Sequence, residues 1–249
     1  MDYKRFDDDE LFELLFTEED RLPRAAVNEI VRRWERFLPR LAEVVSEYNN
    51  WTRELPEWWA VVHASYILGA VSAPQAILPL LKALRLSTML DCDWVFEDLP
   101  SIFGRIGSAA LEGLTTIARD RTSDWFTRAI AMESLAAITI TVPGTADKVF
   151  PLIGGIFTDR TEEKGAREAA GNVLLDFLRP EYREELVIFA KQREQEKAGD
   201  ESAPASFTAD DVQREFEQNE RSLWHYTADW LMFYDAEEIR HRQDRWARE

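Results

Sequence analysis

The sequence predicts an all-α fold: an alpha-solenoid of about five helical pairs, with a short N-terminal helix and a C-terminal helical extension. Three observations predict it. Apolar residues fall at helical intervals, as in Val62, Tyr66 and Ala70 with Ile67 and Val71, and no strand pattern competes. Trp59, Trp94 and Trp125 recur at spacings of 35 and 31 residues, each opening a similar segment. A second series, led by Leu38-Pro39, Leu78-Pro79, Leu111-Glu112 and Phe150-Pro151, recurs at spacings of 40, 33 and 39. One pair of helices cannot bury both its apolar faces, so consecutive pairs must stack around a continuous core.

The first element is a short amphipathic helix over 8–16, carried by Leu11, Phe12, Leu15 and Phe16 in an acidic segment 1–22. The array occupies 23–197 as pairs at 23–48, 57–86, 92–119, 124–158 and 162–197. Trp59, Trp94 and Trp125 are expected to be core wedges between pairs. Gly69 and Gly104, ten residues after the first two tryptophans, are expected at helix ends. Pro39, Pro79 and Pro151 are expected in the first turn of the second helices, where a missing N–H breaks no bond. The fourth pair carries a loosened joint, T-V-P-G-T at 141–145, and the fifth lacks the tryptophan.

Residues 198–206 have the small, polar, proline-containing composition of a linker. The module 207–249 follows. Thr208 with Asp211 opens one helix in capping-box style, and Asp235 with Glu238 opens a last one through Ile239 and Trp246. Between them Trp224, Tyr226, Trp230, Phe233 and Tyr234 fall within eleven residues. So dense an aromatic set must be covered, either by folding back as the cap of the array or by engaging another subunit.

The 249 residues carry a net charge of −17, most of it in the first 20 and last 52 residues at −7 each. Such ends repel a polyanion, so nucleic acid is not an expected partner. One cysteine, Cys92, excludes an intrachain disulfide, and its acidic neighbours oppose a thiolate. The opening residues carry no basic and apolar signal, and no run is apolar enough for a membrane span, so the expected location is the cytoplasm.

Chemistry is sparse. Asp91, Asp93, Glu97 and Asp98 cluster at the start of the third pair, where acids cap helices but could also bind a cation or share acid and base roles. His63, on the preceding pair, aligns with Asp98 when the tryptophans are superposed, so the five residues form a candidate groove. His225 with Asp229 and Glu237 with His241 have i, i+4 ligand spacing without a third ligand, so neither a metal nor a cofactor is expected. Phosphate-binding loops, nucleophile elbows and zinc-protease motifs are absent.

The period and the L-P-x-L second helices resemble the HEAT repeats over about 23–197. Within that span L-P-R-A-A-V at 22–27, H-A-S-Y-I-L-G at 63–69 and D-C-D-W-V-F-E-D-L-P at 91–100 look like a bacterial HEAT-like family of uncharacterised function. The resemblance implies a scaffold role and carries over no catalytic residue. The expected function is therefore a non-catalytic scaffold binding another protein through a face of the array or the aromatic module. Homo-oligomers are compatible with it. The alternative is a small-ligand protein or enzyme using the acidic groove, since some HEAT-like families, such as bilin lyases and certain DNA glycosylases, hold catalytic acids on a concave face.

Overall fold

The computed structural model describes residues 1–197, 206–219, 221 and 223–248, and every regular element among them is helical. Helix α1 (Asp8–Thr17) starts at a capping box: Asp7 accepts from the Glu10 amide at 2.8 Å and Glu10 accepts from the Asp7 amide at 2.8 Å. Five pairs follow. They are α2 (Arg24–Arg32) with α3 (Trp34–Ser46), then, after the single turn α4 (Tyr48–Trp51), α5 (Trp59–Val71) with α6 (Ile77–Met89). The single turn α7 (Asp93–Phe96) leads into α8 (Leu99–Ile106) and α9 (Leu111–Arg119). The last two pairs are α10 (Trp125–Thr141) with α11 (Ala146–Thr158), and α12 (Lys164–Asp176) with α13 (Arg183–Lys197). The C-terminal segment forms α14 (Ala209–Gln218), two 3-10 turns at Trp224–Tyr226 and Trp230–Tyr234, and α15 (Ala236–Trp246).

Each pair packs on the next: α3 on α5 and α6, α5 on α8, α8 and α9 on α10, and α10 and α11 on α12. Helices α5 and α10 are buried on nearly every side, which is why their apolar residues are spread around the helix rather than confined to one stripe. The edge formed by the connections between pairs is laced with charge. Asp120 accepts from the Thr122 amide and hydroxyl, and Asp159 does the same for Thr161, so D-R-T recurs at 120–122 and 159–161. Arg121 reaches from one such turn to Asp159 and Glu162 of the next, while buried Arg128 grips Glu162 with two 2.8 Å bonds and donates to the Ala118 carbonyl. No described helix is long and apolar enough to cross a membrane.

Several local expectations are corrected. Gly69 and Gly104 fall in the last turns of α5 and α8, as expected, but do not themselves end the helices, which run two residues further to Val71 and Ile106. They are glycine because helices touch there: a Cβ on Gly69 would stand 2.8 Å from Ile102 Cγ2, and one on Gly104 would stand 3.1 Å from Ala137 Cβ. Pro39 and Pro151 sit beyond the first turn, because their helices begin earlier than the L-P marker suggests. The prolines that lead second helices are Pro74, Pro143 and Pro180, each heading a one-turn 3-10 segment. The joint at 141–145 is thus built like two others. Trp59 is buried and Trp94 half-buried, but Trp125 is 39% exposed because its ring lies over Gly165 at the surface.

The C-terminal segment runs back along the first helices of the array instead of closing its far end alone. Helix α14, opened by the expected Thr208–Asp211 capping box, packs on α13; Asp235 heads α15 without a side-chain cap bond. Of the expected linker only Ser206 is described, and its amide and hydroxyl donate to Glu168; 198–205 lie outside the described residues. The Tyr226 hydroxyl then donates to Asp176 of α12 at 2.7 Å. The Trp230 indole N–H donates to the Tyr66 carbonyl at 3.1 Å, its ring edge filling the space that Gly69 leaves. Phe233 and Tyr234 enter a nest of Trp59, His63, Tyr66 and Trp94, and Arg242 with Gln243 binds Asp20 ahead of α2. Of the five expected aromatics only Trp224 stays out, 73% exposed.

Candidate functional site

Two sets of residues singled out separately, the acids of the third pair and the aromatics of the C-terminal segment, meet in one cleft of about 370 Å³. The array supplies Tyr66, Asp93, Trp94, Glu97 and Asp98. Helix α7 is a single turn, so its chain re-bends before α8 and turns Asp93, Glu97 and Asp98 towards the cleft. The returning segment supplies Asp229, Trp230 and Phe233, then Glu238, Arg242 and Arg245, which share one face of α15 at i, i+4 and i+7.

The cleft is acidic. Asp93, Glu97, Asp98, Asp229 and Glu238 face two arginines, and Arg242 is already committed: it donates to the Asp20 and Phe233 carbonyls at 2.8 and 2.7 Å, stacked over the Phe233 ring. Arg245 is left as the cation of the cleft. Asp98 stands at the head of α8 but caps no amide; it accepts from the Tyr66 hydroxyl. Burial drives its carboxyl up to about 6, the Tyr66 bond opposing and Glu97 and Asp229 adding to the rise. Trp94, Trp230 and Phe233 supply aromatic walls.

Two residues of the expected groove are elsewhere. His63 is fully buried: its Nδ1 lies 3.1 Å from the Tyr234 hydroxyl and its Nε2 2.6 Å from the Glu19 carbonyl. A carbonyl only accepts, so the neutral ring carries its proton on Nε2 and takes the Tyr234 O–H at Nδ1. Burial first, and Arg242 in addition, push His63 down to about 4, so it is a neutral structural link with no free nitrogen. Asp91 is exposed at a left-handed turn, φ 55°, outside the cleft. Cys92 is buried and pushed up to about 12, mainly by that burial. Among the described residues no three His, Cys, Asp or Glu side chains converge as metal ligands would; His225 lies 4.0 Å from Asp176.

Sequence reasoning missed the contribution of Asp229, Glu238, Arg242 and Arg245. The spacing of Glu238, Arg242 and Arg245 on one helix face is legible in the sequence, but that this face and Asp229 come opposite α7 depends on a route through space. Comparison with known protein families, with curated proteins and with solved structures finds no match to this chain.

Proposed function

We propose that the protein is a non-catalytic, HEAT-like scaffold of the cytoplasm that takes a basic segment of a partner protein in the composite cleft. The observation that supports this reading most is the cleft's content: five carboxylates against one arginine, Arg245, that has no ion-pair partner among the described residues, between Trp94, Trp230 and Phe233. Carboxylates beside aromatic faces suit a guanidinium or ammonium side chain, which pairs with the acids and stacks on the rings. The edges of such a site steer a basic partner and fix its register.

The test is fluorescence anisotropy of a labelled Arg/Lys-rich nonapeptide and a Glu-rich counterpart, titrated with the full chain. The basic peptide is expected to bind selectively, more weakly as salt rises, and at least tenfold more weakly to Asp93→Asn/Glu97→Gln. Equal binding of both peptides, or of wild type and variant, overturns the reading. The alternative, a small-ligand or catalytic use of the same cleft, draws on Asp98, an acid that holds its proton up to about pH 6. Loss of function in Asp98→Asn with basic-peptide binding intact would favour it.

A further inference from the structure

A second pocket, of about 470 Å³, lies in the groove between α10 and α12, beside the path of the returning segment. Its depth comes from Ala129 and Ala169, and one wall is Trp125, whose ring lies on Gly165 with a Cβ position only 2.6 Å from Cδ2. Phe126 packs edge-on against that indole. The charged groups on the rim are engaged: Lys164 with Glu196, and Arg193 with Glu168, which also accepts from Ser206. Glu133 is different. It is half-buried, it lines the pocket, and neither it nor Asn172 has a hydrogen-bond partner among the described residues.

We infer that this pocket binds a small organic cation with a flat apolar body, its ammonium group on Glu133 and its ring against Trp125. Ligand sites are mostly apolar hollows with a few placed polar groups, and here the two unengaged polar side chains stand in an aromatic and alanine-lined hollow. Charge selects the ligand: with the rim ions paired, Glu133 is the unbalanced charge and calls for a cationic head, while the Trp125 indole offers its face to the ligand's ring. Burial and the nearby Asp176 push the Glu133 carboxyl up to about 7, a condition that a bound ammonium relieves.

Calorimetric titration of the full chain with tryptamine, and with the uncharged indole-3-ethanol and the anionic indole-3-propionate, tests this. Tryptamine is expected to bind at least tenfold more tightly than either analogue. Glu133→Gln, checked for an unchanged helical spectrum, is expected to erase that preference, and Trp125→Ala to weaken all three probes. Asp93→Asn/Glu97→Gln, in the other cleft, is expected to leave tryptamine binding within twofold. No heat with tryptamine, no preference over indole-3-ethanol, or a preference that survives Glu133→Gln overturns the assignment; so does its loss in Asp93→Asn/Glu97→Gln.

Discussion

His63 shows how burial decides a residue's role. Its folded-state value of about 4 lies below the ordinary 6.5, so between those values the unfolded chain binds a proton that the folded chain refuses. Its contribution is complete above about pH 6.5 and is lost as pH falls towards 4. A shift of that size is worth on the order of 3 kcal/mol. Asp98, held near 6, and Glu133, near 7, act in the opposite sense, since their folded forms take up protons first as pH falls. The wild-type curve alone therefore mixes the effects, while its difference from His63→Gln isolates one. The stability advantage of wild type over His63→Gln in urea should shrink by about that amount between pH 7 and pH 4; a gap independent of pH would refute the assignment. The sequence placed this histidine in a groove because alignment on tryptophans sets it opposite Asp98, and spacing cannot tell which side of α5 a returning segment will cover.

At the scale of elements, helix contacts explain the glycines. Alanine at Gly69 would press on Ile102 at 2.8 Å and Trp230 at 3.2 Å, an overpacking cost of about 1 to 3 kcal/mol against at most about 1 kcal/mol of helix propensity. Gly155, exposed on α11, meets nothing within 4 Å, so alanine there should gain up to about 1 kcal/mol. Opposite displacements of the two urea midpoints are expected, and two shifts of the same sign would contradict the close approach. The helices were legible because apolar periodicity is a local signal that survives irregular joints. The prolines misled about where second helices begin, since Pro39 and Pro151 are tolerated one turn further in. Trp125 misled because its spacing matches that of Trp59, while only the neighbouring glycine reveals that its ring lies at the surface.

For the whole molecule the returning segment matters most. Stacked helical pairs ordinarily touch only their neighbours, and their stability is a sum of local terms. Here contacts from Tyr226 to Asp176, Trp230 to Tyr66 and Arg242 to Asp20 tie the last pair, the second pair and the N-terminal segment together. Full-length protein should thus lose far-ultraviolet ellipticity and tryptophan fluorescence in one coincident transition. A chain ending at residue 219 should melt earlier, in separable steps, and should self-associate through bared Trp59, Tyr66 and Trp94. A truncated chain that stays monodisperse with an unchanged midpoint would mean that the aromatic nest contributes nothing. The same contacts have a consequence during synthesis. Tyr66 precedes Trp230 by 164 residues, so at about 5 to 20 residues per second a ribosome delivers the receiving surface roughly 8 to 33 s before its cover. Over that interval the row of helices grows with its aromatic seam still open, and whatever attends the nascent chain at the exit tunnel competes with the protein's own tail for that seam.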